Sequence, residues 1–147
     1  MLTFENELCV DTLDPEIISK IKQYWESKTF VFTEQNSNRF VAKRGSAFKN
    51  NFTFNMMKLK STLKITIEDN VIMTLLEVDP IGQIITEAEK RYWPLELDAF
   101  KQYILYGRLM EDEFNQYYNN ASKVVKKIIL NIILSVGLIT ILCLAFL

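Results

Sequence analysis

The clearest alternation of apolar and polar positions runs from Lys58 to Asp79. Leu59, Leu63, Ile65 and Ile67 share one parity; Lys58, Lys60, Thr62, Lys64, Thr66 and Glu68 share the other. Successive side chains of a strand leave through opposite faces, so this is a half-buried strand. Asp69-Asn70 forms a two-residue hairpin loop, because both residue types tolerate left-handed backbone. The return strand runs from Val71 to Asp79, with Ile67 opposite Ile72 and Leu63 opposite Leu76. Asp79-Pro80-Ile81-Gly82 reads as a type I turn, with proline second and glycine fourth.

Helical spacing appears on either side. Asp14-Pro15-Glu16 is a helix start: aspartate caps free N–H groups, proline suits the first turn and glutamate the positive dipole end. Ile17, Ile18, Ile21, Tyr24 and Trp25 then form one apolar stripe ending near Lys28. Thr86-Glu87-Ala88-Glu89 is a capping box opening a second helix. One of its stripes is Ala88, Tyr92, Leu95, Ala99, Tyr103 and Tyr106; the adjacent one is Trp93, Leu97, Phe100 and Ile104. Pro94 should kink this helix or split it, and Gly107 should stop it.

Shorter strands fill the remainder. Leu2 to Val10 reads as a first strand with Phe4, Leu8 and Val10 on one face. Thr29 to Thr33 and Arg39 to Arg44 flank a polar turn over residues 34–38. Residues 47–57 give no clear pattern beyond a short strand around Phe52–Phe54. The predicted fold is α+β: an antiparallel sheet of four to five strands, with the Asp14 and Thr86 helices packed on one face.

The pattern changes character near the end. Residues 128–147 form a run of 20 without charge, of which 16 are apolar. Such a helix is about 30 Å long and matches the hydrocarbon core of a bilayer. The expected organisation is a cytoplasmic α+β domain over 1–107, a juxtamembrane helical linker over 108–127 and a C-terminal transmembrane anchor over 128–147. Lys123, Lys126 and Lys127 flank the run on one side only, which places the domain in the cytoplasm by the positive-inside rule. No apolar run suits a secretory signal near Met1, and no polar spacer suits a lipid-anchor signal. Asn51 and Asn120 match the glycosylation sequon, but a cytoplasmic domain does not meet that machinery. Asn131 and Ser135 fall on one face of the span and are candidates for contact with a partner helix.

Composition adds exclusions. The chain of 147 residues is 49% apolar and has no histidine. Histidine-based catalysis and histidine metal sites are therefore absent. The cysteines, Cys9 and Cys143, fall in different compartments and should not pair; no cations flank Cys9 to activate it, so it reads as buried or inert. The glycines stand apart and make no phosphate loop. The chain is thus expected not to be an enzyme and to need no cofactor.

The net charge of −1 hides an uneven distribution. Residues 39–64 carry seven basic side chains and no acidic one, between acidic segments. Strand parity puts Arg39 with Lys43, and Lys58 with Lys60 and Lys64, on common faces. These residues are the candidate contact surface for anionic lipid or an acidic protein partner. No reading motif for nucleic acid accompanies them. The expected function is a tail-anchored binding or scaffold module. The alternative is an accessory subunit of a larger membrane complex, held through Asn131 and Ser135.

Overall fold

The computed structural model describes residues 1–46, 56–83 and 85–110, together with Gln116, Asn119, Lys123, Lys127, Leu130, Asn131, Leu134 and Ser135. The elements are β1 (Leu2–Cys9), α1 (Pro15–Ser27), β2 (Val31–Gln35), β3 (Arg39–Arg44), a single 3₁₀ turn (Met56–Lys58), β4 (Ser61–Glu68), β5 (Val71–Val78), α2 (Glu87–Lys90) and α3 (Tyr92–Tyr106). The strands form one antiparallel sheet in the order β1-β5-β4-β3-β2. This is the α+β architecture that the alternation predicts.

The local signals account for most boundaries. The Asp14 carboxylate accepts the Ile17 N–H at 2.8 Å and caps α1. The Thr86 and Glu89 side chains cap each other's backbone N–H groups at the start of α2. Pro94 cannot donate to the Lys90 carbonyl, and the helical run divides at Arg91, after the four residues of α2. Gly107 ends α3 in the left-handed conformation at φ 65°. The hairpin places Ile67 opposite Ile72 and Leu63 opposite Leu76, with Asp69 at φ 47°.

Other boundaries differ. Thr29 is not the first residue of a strand. The Thr29 N–H reaches the Glu26 carbonyl and the Phe30 N–H reaches the Trp25 carbonyl, with Thr29 at φ 66°. This is a Schellman closure of α1, and it delays β2 to Val31. The turn after β5 closes one residue later than predicted: the Gln83 N–H bonds the Pro80 carbonyl, so Gly82 takes the third position with φ 81°. Lys58 lies in the 3₁₀ turn and not in β4. Gly45 explains why that turn sits close by. A Cβ on Gly45 would stand 2.8 Å from the Leu59 carbonyl carbon, so only glycine lets β3 end against this backbone.

The core lies between the sheet and the helices. Leu8, Phe40, Ala42, Leu63, Ile65, Ile67, Ile72, Leu76 and Val78 meet Ile21, Tyr24 and Trp25 of α1 and Tyr92, Trp93, Leu97 and Phe100 of α3. Aromatic contacts join the layers: Phe4 stacks on Trp93 at 5.5 Å, and Trp25 meets Phe100 at 5.2 Å. Cys9 is exposed and so departs from the buried reading. It has the outward parity of edge strand β1, away from the helices. The predicted strand around Phe52–Phe54 lies outside the described residues, as does most of the 128–147 segment. Among the described residues, no helix is long and apolar enough to cross a membrane.

Candidate functional site

The sheet has one face under the helices and one without a helix among the described residues. The second, open face is built in rows by the strand register. Glu7, Met73, Thr66 and Arg39 form one row across β1, β5, β4 and β3. Glu5, Leu75, Lys64 and Val41 form the next. Thr3, Glu77, Thr62 and Lys43 form the third. A shallow hollow of about 630 Å³ lies over the middle rows, with Glu5 and Glu7 on one side, Arg39 and Lys64 on the other, and Met73 and Leu75 between.

The turn from β2 to β3 fixes the basic side. The Asn36 side-chain oxygen accepts the Arg39 N–H at 2.7 Å, and the Asn36 N–H donates to the Arg39 carbonyl at 3.0 Å. This closes the turn and sets the parity of β3, with Arg39 and Lys43 outward and exposed. The structure therefore brings Arg39, Lys43 and Lys64 onto one face. Lys60 stands just before β4 and pairs with Asp79 at 3.2 Å. Lys64 pairs with Glu77 at 2.7 Å. The Asp79 carboxyl is held below its usual range by the Ile81 N–H and, secondarily, by Lys60. Lys58 is exposed but sits off the sheet. Arg39 and Lys43 make no ion pair among the described residues.

The face is thus not uniformly basic. Its β1 side carries Glu5 and Glu7, and Glu34 on β2 pairs opposite Val41 at the other margin. Sequence blocks miss this because β1 is remote in sequence but lies in the same sheet. The parity of β1 already places both glutamates opposite Phe4 and Leu8; what sequence lacks is the strand order.

The second polar constellation is inside the core, and sequence reasoning missed it. Arg44 and Glu96 form a bidentate ion pair at 2.8 and 3.1 Å, both fully shielded from solvent. The Tyr92 hydroxyl donates to the Glu96 carboxylate at 3.3 Å, and the Tyr24 hydroxyl donates to the Glu96 backbone carbonyl at 3.1 Å. The Arg44 guanidinium lies 4.3 Å from the centre of the Phe30 ring. Burial works against its charge, but Glu96 and the two phenols outweigh it and hold its pKa up. Burial, reinforced by the Glu96 charge, pushes both phenols well above the ordinary tyrosine value. Two signals were present in sequence: Arg44 shares the inward parity of Phe40 and Ala42, and Glu96 stands four residues from both Tyr92 and Phe100. The cluster is closed to solvent and ties α3 and α1 to the end of β3. The Arg44 Nε, Trp25 Nε1 and Trp93 Nε1 groups are buried without an acceptor among the described residues.

Lys123, Lys127, Asn131 and Ser135 are helical and exposed, whereas Lys126 lies outside the described residues. The Ser135 hydroxyl donates to the Asn131 carbonyl, four residues back, at 2.8 Å. Among the described residues, no group of three or more Cys, Asp or Glu side chains is placed to hold a metal ion. Neither a protein-family model nor a curated protein matches the chain.

Proposed function

We propose that this chain is a membrane-anchored, non-catalytic docking module. Residues 128–147 hold it in the bilayer, and the α+β domain on the cytoplasmic side offers its open sheet face to an acidic protein surface. The observation that carries this reading is the pair Arg39 and Lys43. Both are exposed, both are fixed on a rigid strand, and neither has an ion-pair partner among the described residues. A protein surface is favoured over a flat anionic bilayer because it can set its carboxylates against Arg39 and Lys43 alone, whereas continuous anionic headgroups would also meet Glu5, Glu7 and Glu77. Support for the anchor comes from Leu130 and Leu134, which are helical and 55% and 61% exposed. Such side chains are unfavourable in water and at ease in lipid.

The anchor is tested by alkaline carbonate extraction of membranes: the full chain should stay with the pellet, and a chain ending at Lys127 should leave it. The docking face is tested with poly-L-glutamate as the acidic probe. The wild-type chain should bind it at low salt, with Arg39→Glu/Lys43→Glu abolishing the binding. Equal retention by both proteins would overturn this use of the face. Greater retention on anionic vesicles than on poly-L-glutamate would favour lipid instead.

A second reading, an accessory subunit held through the span, draws on one observation. The Ser135 hydroxyl already donates to the Asn131 carbonyl, so among the described residues of 128–147 Asn131 is the remaining side-chain donor. Loss of a stoichiometric membrane partner on Asn131→Leu would support it.

A further inference from the structure

The open face is divided in sign across its width. Glu5 and Glu7 stand on β1, and Arg39 and Lys43 stand on β3, with β5 and β4 between them. The two charged strands are about 14 Å apart at the usual strand spacing, and no ion pair joins them among the described residues. Apart from Glu34 at the β2 margin, such a face is complementary to itself. A two-fold axis parallel to the strands, passing between β4 and β5, carries β1 of one copy over β3 of another and β5 over β4. The register makes the match specific. Glu7 and Arg39 occupy the same row, as do Met73 and Thr66. The rotation therefore sets Glu7 of each copy over Arg39 of the other. It also brings Met73 and Leu75 near the axis, where the hollow over them would be closed. Two sheets facing at about 10 Å are within reach of such side chains.

We propose that the acidic partner is a second copy of this chain, docked open face to open face with β1 over β3 on both sides. The proposal rests on the docking reading above. It commits to one occupant because both halves of the required complementarity are present in one chain. Anchoring in a common membrane would raise the local concentration, so an interface of modest strength suffices.

The test uses the full chain in membranes with Cys9→Ser and Cys143→Ser. One tagged copy carries Glu7→Cys and a differently tagged copy carries Arg39→Cys. A short bis-maleimide cross-linker should join the two tags. Glu7→Cys with itself, Arg39→Cys with itself, and either with Arg91→Cys on the helix side should give little product. Facing Cα atoms about 10 Å apart exceed the roughly 7 Å that a disulfide allows, so a short linker is needed; it does not reach between like positions of the two copies, which are offset by a further ~14 Å across the sheet. In detergent, Arg39→Glu/Lys43→Glu should weaken self-association at least about tenfold, since it sets like charges against each other. Glu5→Lys/Glu7→Lys should do the same, and a mixture of the two variants should associate again. A monomeric wild type with no 7–39 product above the Arg91 control overturns the proposal. Self-association that ignores both charge reversals overturns it equally. If the wild type is monomeric but still binds poly-L-glutamate through Arg39 and Lys43, the dimer fails and the docking reading stands. If that binding is absent too, both fail.

Discussion

Lys43 and Arg44 are neighbours in sequence and carry the same charge, yet they occupy opposite environments. Lys43 leaves β3 through the open face and is exposed. Arg44 leaves through the other face and is buried against Glu96 and Phe30. The pleat alone separates them. Burial then decides what each charge can do. In the core, a cation must be held by fixed partners, and a planar guanidinium suits both a bidentate carboxylate and an aromatic face. On the open face, a cation remains available for contact. The basic block of residues 39–64 is thus two things: part of it is internal framework and part is surface.

The largest effect should come from breaking the internal half. Glu96→Leu leaves the Arg44 guanidinium buried without its counter-charge and should cost about 3–5 kcal/mol. That is a large share of the roughly 5–15 kcal/mol that holds a domain together. Arg44→Met/Glu96→Leu removes both charges and should recover most of the loss. Urea denaturation of the full chain, followed by the fluorescence of Trp25 and Trp93 in the core, reads all three proteins. A double variant as unstable as Glu96→Leu would mean that the pair acts by shape and not by charge.

Alkaline pH probes the same cluster more gently. Tyr24 and Tyr92 keep their protons in the folded state because burial raises both above the ordinary value of 10.0. The unfolded chain releases those protons near that value. The folded state then binds more protons than the unfolded one, so stability is full below pH 10 and falls as pH rises beyond it. Tyr24→Phe should flatten the fall. At neutral pH it should cost about 1 kcal/mol through loss of the bond to the Glu96 carbonyl. Denaturation midpoints at pH 9 and pH 11 distinguish the outcomes; an unchanged slope in Tyr24→Phe would remove that phenol from the linkage.

What was legible in sequence was local. The β4–β5 hairpin follows from alternation and Asp69-Asn70, and the α1 and α2 starts follow from Asp14 and Thr86 within a few residues of each cap. The face of each strand was likewise legible from parity. Strand order was not: it places β1 beside β5, a contact between residues some 70 positions apart. The charge division of the open face depends on that order. The Thr29 closure escaped notice because a β-branched residue is unfavourable in left-handed backbone, and propensity alone favours extending the strand. Glu96 escaped because an isolated carboxylate in an apolar stripe gains meaning only when its partner from another strand is known.

The smallest effects should come from the exposed half. Lys64 pairs with Glu77 while 36% and 19% of their side chains remain accessible. Solvent screens such a pair, so Lys64→Ala should cost less than about 1 kcal/mol. Lys43 has no ion pair among the described residues, and Lys43→Ala should change stability by no more than about 0.5 kcal/mol. The order should reverse for docking. Lys64 is neutralised by Glu77 in its own sheet, whereas Lys43 is available, so Lys43→Ala should weaken poly-L-glutamate binding more than Lys64→Ala does. Measuring both quantities on both variants tests whether the face holds separate structural and contact cations. If Lys43→Ala is the more destabilising and the less damaging to binding, the division drawn between Lys43 and Arg44 does not extend across the open face.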